Sequence, residues 1–155
     1  MPTVWRIVKA VYATQAFDGE GARIYGGRWN SPSVRMVYTA DSAALAALEH
    51  LVRLNDASAQ PKFVLISAVL PDELVDDLDR SALPEHWRST PAPPALQQIG
   101  DRWAKSKGSA ALRVPSAIIE QQSNYLLNPE HPAFSSIAIG AVERFIFDER
   151  LLRRP

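Results

Sequence analysis

The run "KFVLISAVLP" at residues 62–71 limits the possible folds most. It is almost continuously apolar, partly β-branched, shorter than a typical helix and ended by Pro71. That pattern predicts a buried central strand. A buried strand needs cover, and the segment just upstream supplies it. "DSAALAALEHLVRLN" (41–55) has helical spacing, with Asp41 or Ser42 placed to cap its first amides. The spacing puts Ala44, Leu45, Leu48, Leu51 and Val52 on one apolar arc. Glu49 falls at the edge of that arc, beside Leu45, where a carboxylate can look along the seam between helix and sheet.

The rest of the chain completes an α+β pattern. "TVWRIV" (3–8) predicts a first strand, and "TQAFDGEGARIYGG" (14–27) a loop. "RWN" and "MVYTA" predict two short strands joined by "SPSVR". With the turn centred on Ser33, Arg28 and Tyr38 would face each other across an antiparallel pair. The acidic, proline-rich stretch 72–94 is expected to be a surface excursion. Residues 94–108 predict a helix, with proline at its start and glycine at its end. Residues 111–119, 124–128 and 143–152 predict strands, with "PEHPAFSS" a turn. The expectation is a single compact domain over residues 1–155, with mixed or antiparallel strands and a few helices.

Composition excludes several functions. Seventeen basic residues balance seventeen acidic ones, so the net charge of zero does not favour a nucleic-acid partner. Cysteine is absent, which removes thiol nucleophiles, disulfides and thiolate metal sites. His50, His86 and His131 are scattered without ligand spacing, so no metal site is expected. Neither G-x-S-x-G, G-x-G-x-x-G nor G-x-x-x-x-G-K occurs. No signal-peptide core and no run of membrane-spanning length is present, so no membrane partner and a cytoplasmic location are expected.

What remains is a constellation of arginines (Arg6, Arg28), aromatics (Trp29, Tyr38), one carboxylate (Glu49) and a serine, Ser116. Each also has an ordinary reading, as hairpin surface, core aromatic, solvated helix residue or strand end.

"GGRWN", "MVYTA", "ALAALEHL", "LRVPSAI" and "NYLLNPEHPAF", in that order from about Val4 to Phe134, closely resemble the RES-domain family. These are bacterial toxins named for an Arg, a Glu and a Ser and usually paired with an Xre-type helix-turn-helix antitoxin. The resemblance implies a fold like the ADP-ribosyltransferase core, with NAD as substrate and not as cofactor. It places the naming residues on Arg28, Glu49 and Ser116, with Tyr38 and Arg6 also lining the pocket. The motif does not fix the roles of Trp29 and Asn124. It further implies an antitoxin partner and a homodimer within that complex.

Three functions stay open at this point. One is NAD degradation by hydrolysis or phosphorolysis of the nicotinamide–ribose bond. Another is ADP-ribosyl transfer to a protein, and the third is a catalytically silent module that only binds a partner.

Overall fold

The computed structural model describes residues 1–54 and 61–152, and among these the strands form one seven-stranded sheet. In chain order the strands are β1 (Thr3–Lys9), β2 (Val37–Ala40), β3 (Phe63–Val69), β4 (Val75–Asp77), β5 (Ala111–Pro115), β6 (Ser123–Leu127) and β7 (Ala138–Phe145). Across the sheet they run β4-β5-β6-β2-β1-β3-β7. Only the β4–β5 pair is parallel, so the sheet is mixed, as expected. The helices are α1 (Glu20–Tyr25), α2 (Ala43–Leu51), α3 (Pro94–Ser106) and α4 (Glu149–Leu152).

The apolar run forms β3, paired along its length with β1 and, on its other side, with β7. Val64, Ile66 and Ala68 enter one core cluster with Val4, Val8, Phe17 and Leu127. Phe63 enters a second, with Ile7, Leu45, Ala46 and Phe147. Alternate residues therefore bury on opposite faces, which is why the run carries almost no polar position.

Helix α2 starts as anticipated, with the Ser42 side chain accepting from the Leu45 amide at 3.0 Å. Its buried face differs from the expected arc. Leu45 and Ala46 are buried, but Leu48 is 36 % and Val52 65 % exposed. The helix is rolled so that Ala46, Glu49 and His50 turn inward, and Asn55, the last residue of the expected helix, lies outside the described residues.

Helix α3 buries Leu96, Gly100 and Ala104, spaced one turn apart, over the β5–β6 half of the sheet. A Cβ on Gly100 would lie 1.7 Å from the Trp29 carbonyl oxygen. Glycine is what lets this helix touch the backbone of the 28–35 turn. The fully buried Asn128 donates to the Ala104 carbonyl at 2.9 Å and ties the end of α3 to the end of β6.

Four expectations are corrected. No hairpin joins residues 28–30 to 36–40: only a Gly27–Asn30 bridge forms, and β2 pairs with β6 and β1. The buried Asn30 side chain donates to the carbonyls of Ala22 and Val34 at 2.8 and 3.0 Å. That closes residues 22–34 into a compact turn, with Ser33 at φ 84°. The expected loop 14–27 contains α1. The final strand lies earlier, at Ala138–Phe145, because Asp148 accepts from the Arg150 amide and starts α4. The strand expected at 111–119 stops at Pro115, since Ser116 begins a turn.

Candidate active site

Strands β1 and β2 share one register pair, Trp5↔Ala40, in contrast to the seven pairs between β1 and β3. Two strands that separate leave backbone acceptors without ladder partners. Arg6 fills the gap: its Nε donates to the Ala16 carbonyl at 2.7 Å and its NH1 to the Tyr38 carbonyl at 2.9 Å. The split opens a cleft between the two strands.

One wall of the cleft is α2 and the turn after it. Ala46, Glu49, His50 and Arg53 all line it, at helical offsets of 0, 3, 4 and 7. Glu49 is held from across the cleft, where the Ser116 hydroxyl donates to its Oε1 at 2.8 Å. Ser116 is fully buried, and its oxygen accepts from the amides of Ile118 and Ile119 at 3.1 and 3.2 Å. The serine is thus a fixed donor on a closed turn, and it fixes one carboxylate oxygen.

The opposite side carries Arg28. Its NH1 donates to the carbonyls of Trp87 and Ser89, both at 3.1 Å. This leaves Nε and NH2 as donors for a ligand. Partial burial lowers the Arg28 pKa, the nearby Glu49 charge opposes that, and Arg53 adds to it. Arg6 is pushed down to about 10 by burial and by Arg53, against Asp18, and so stays charged at neutral pH. His50 packs edge-on to Phe63 with ring centres 4.7 Å apart. Burial, then the charges of Arg53, Arg6 and Lys9, hold its pKa below the usual value, so it is neutral at pH 7.

Tyr38 presents its ring to the cleft, but its hydroxyl is engaged. The oxygen accepts from the Trp29 amide at 3.0 Å and the hydroxyl donates to Asn30 Oδ1 at 2.6 Å. Burial raises its pKa, so the phenol is neutral. A Cβ at Gly27 would lie 2.6 Å from this hydroxyl, which explains the second glycine of "GGRWN". Gly26 has φ 72°, which explains the first.

The structure therefore brings Arg6, Arg28, Trp29, Tyr38, Glu49 and Asn124 to one cleft, with Ser116 bonded to Glu49 beneath it. Arg28 and Tyr38 meet through the 28–35 turn and not across paired strands. Trp29 is 2 % exposed and packs with Met36, Leu96 and Val114, so it borders the cleft mainly as part of the core behind it. Asn124 donates to the Thr39 carbonyl at 3.2 Å from the strand beside Tyr38.

Sequence reasoning missed Asn30, His50, Arg53 and Arg88. The stripe Ala46–Glu49–His50–Arg53 was a usable signal, masked by the stronger leucine pattern. Nothing local marks Arg88, which donates through Nε to Ala117 and through NH2 to Ile118, at 2.9 and 3.2 Å. Residues 87–89 thus tie the Arg28 side of the cleft to the Ser116 turn. This gives the 72–94 excursion a structural task.

The RES domain family matches residues 3–148 of the chain. "Toxin Res" of Yersinia enterocolitica is 38% identical over 150 residues, covering 96% of this chain and 98% of that one. The "Prs ADP-ribosylating toxin" of a Sphingobium species is 37% identical over 155 residues, covering 97% and 96%. Among solved structures, the M. tuberculosis MbcT-MbcA toxin-antitoxin complex contains a chain of the same fold, with a TM-score of 0.76. At 21% identity it covers 93% of this chain and 84% of that one. A match over nearly the whole chain, with relatives of almost equal length, leaves one conclusion: the chain belongs to the RES domain family.

Proposed function

We propose that this protein is the enzymatic toxin of a toxin–antitoxin pair and that it breaks the nicotinamide–ribose bond of NAD. The observation that carries the reading is the Ser116–Glu49 hydrogen bond, which fixes one carboxylate in a cleft that Arg6, Arg28 and Arg53 also line.

The chemistry needs little acid catalysis. As the C–N bond breaks, its electron pair moves to the nicotinamide ring nitrogen, and nicotinamide leaves neutral. The ribose becomes electron-poor, as in glycoside cleavage. Glu49, placed against the ribose hydroxyls, would stabilise that charge more in the transition state than in the ground state. Arg28 would hold the diphosphate through charge-assisted bonds. The Tyr38 ring would flank the nicotinamide. Ser116 would position Glu49 and not attack, because its oxygen already accepts from two amides.

A second reading, ADP-ribosyl transfer to a protein, is favoured by the name of the Sphingobium relative. Both share the bond-breaking step and differ in what attacks the ribose. Mass spectrometry of a reaction in phosphate buffer separates them. Free or phosphorylated ADP-ribose supports degradation, a mass increase on an added protein supports transfer, and intact NAD rejects both. Restraint by a helix-turn-helix antitoxin, and pairing of two toxin copies, belong to the same proposal. Co-purification with the neighbouring gene's product tests them.

A further inference from the structure

A second, wider cleft adjoins the first and shares Arg6, Arg28, Tyr38 and Arg53 with it. Its own lining differs in kind: Tyr25, the two glycines, Pro91, Pro94 and Gln97. Among the described residues, no carboxylate lines it. Tyr25 is 84 % exposed, a large aromatic ring standing in water beside a cavity. Gly26 and Gly27 leave this rim without side chains, so a flat group can lie against the backbone. Gln97 spends its amide N–H groups on the Gly27 and Asn30 carbonyls, both at 3.0 Å, which holds the rim in shape.

Arg53 stands where the clefts join. Its amide donates to the His50 carbonyl at 3.1 Å, but among the described residues its guanidinium makes neither an ion pair nor a hydrogen bond, although its charge acts on Arg6, Arg28, His50 and Tyr38. Three guanidinium groups lining one junction repel each other, and an anion between them relieves that repulsion.

We infer that the second cleft takes the purine-nucleoside half of a dinucleotide, with Tyr25 stacking on the base and Arg53 over the diphosphate. This deepens the NAD reading and rests on it for the identity of the first cleft's occupant. The purine requirement is set by the Tyr25 cleft and the chemistry by the Glu49 cleft, so the two can fail separately.

Calorimetry on the full chain tests the inference, with ADP and nicotinamide mononucleotide as probes. Tyr25→Ala should weaken ADP about tenfold, the scale of one lost base–aromatic stack. It should leave the mononucleotide within about twofold, and Tyr25→Phe should restore ADP binding. Arg53→Ala should weaken both probes, since both carry phosphate. Both side chains are exposed, so melting temperatures should stay near wild type. Unchanged ADP affinity in Tyr25→Ala and Arg53→Ala overturns the inference, as does a wild-type protein that does not bind ADP. If the wild type binds ADP through Tyr25 yet leaves NAD intact, the NAD-cleaving reading fails and the purine cleft stands.

Discussion

Glu49 on α2 and Arg53 in the turn that follows it stand four residues apart, yet their surroundings differ in kind. Glu49 is half-buried, and one of its oxygens receives a hydroxyl that two backbone amides hold in place. Arg53 is exposed, and among the described residues its guanidinium has no bonded partner. Arg28, across the cleft, is intermediate, with one nitrogen tied to two carbonyls and the others left over. The acidic wall is over-determined and the basic wall is open-handed. A group that must stabilise a developing charge gains from being fixed before the substrate arrives. Groups that grip a mobile diphosphate gain from spare donors.

Replacing Ser116 with alanine should break that contrast most severely. It frees Glu49 and strips an acceptor from two amides, so about 1–3 kcal/mol of stability should go. Turnover should fall about tenfold or more with KM little changed, the pattern of a lost positioning contact and not of lost binding. Steady-state kinetics beside a denaturant titration would separate the effects. If turnover is unaffected, the acidic wall does not need its anchor.

Tyr38→Phe should come next. It leaves the Trp29 amide and the fully buried Asn30 oxygen without their shared partner, at about 1–2 kcal/mol in thermal or denaturant unfolding. The ring survives, so NAD affinity should hold. A large loss of affinity without destabilisation would mean that the hydroxyl serves the substrate and not the turn.

Arg88→Ala probes the connection between the walls. Its bonds to Ala117 and Ile118 are exposed, so stability should change by less than about 1 kcal/mol. Turnover should drop about threefold as the Ser116 turn loosens, and Arg88→Lys should recover only part of it, since lysine lacks the planar fork.

The smallest effect concerns pH. Burial and the charges of Arg53, Arg6 and Lys9 lower the His50 pKa below its ordinary 6.5. The unfolded chain therefore takes up this proton first on acidification, and His50's contribution, present above about 6.5, is lost as pH falls through the folded value. Melting temperatures between pH 8 and 5 should fall more steeply for the wild type than for His50→Gln. Parallel curves would remove His50 from the basic wall's influence.

Much of the acidic wall was legible in the sequence. The apolar run at 62–71, the capped helix at 41–55 and the ordered motifs gave β3, α2 and the residues Glu49 and Ser116, because each depends on local periodicity or on a motif. The basic wall was legible only in name. Arg28 was singled out, but the hairpin meant to place it does not exist. Asn30, a single buried amide, folds residues 22–34 into a turn that no two-residue period announces. Arg53 was hidden by leucines that mark a helix well and its rotation poorly. The 87–89 strap is invisible locally, since its bonds reach residues 28 and 117, about 59 and 29 positions away, and arise only once the chain has folded. The motif leaves the role of Trp29 open, and its side chain packs in the core where Gly100 lets α3 approach the turn that carries it.

The central claim is that Glu49 acts on the ribose of NAD. Nicotinamide release measured for purified wild type and Glu49→Gln tests it most directly. The prediction is steady release by the wild type and a loss of about 10²–10³-fold in the variant, with its melting temperature and NAD affinity retained. Equal release by both proteins, or none by the folded wild type, would contradict it.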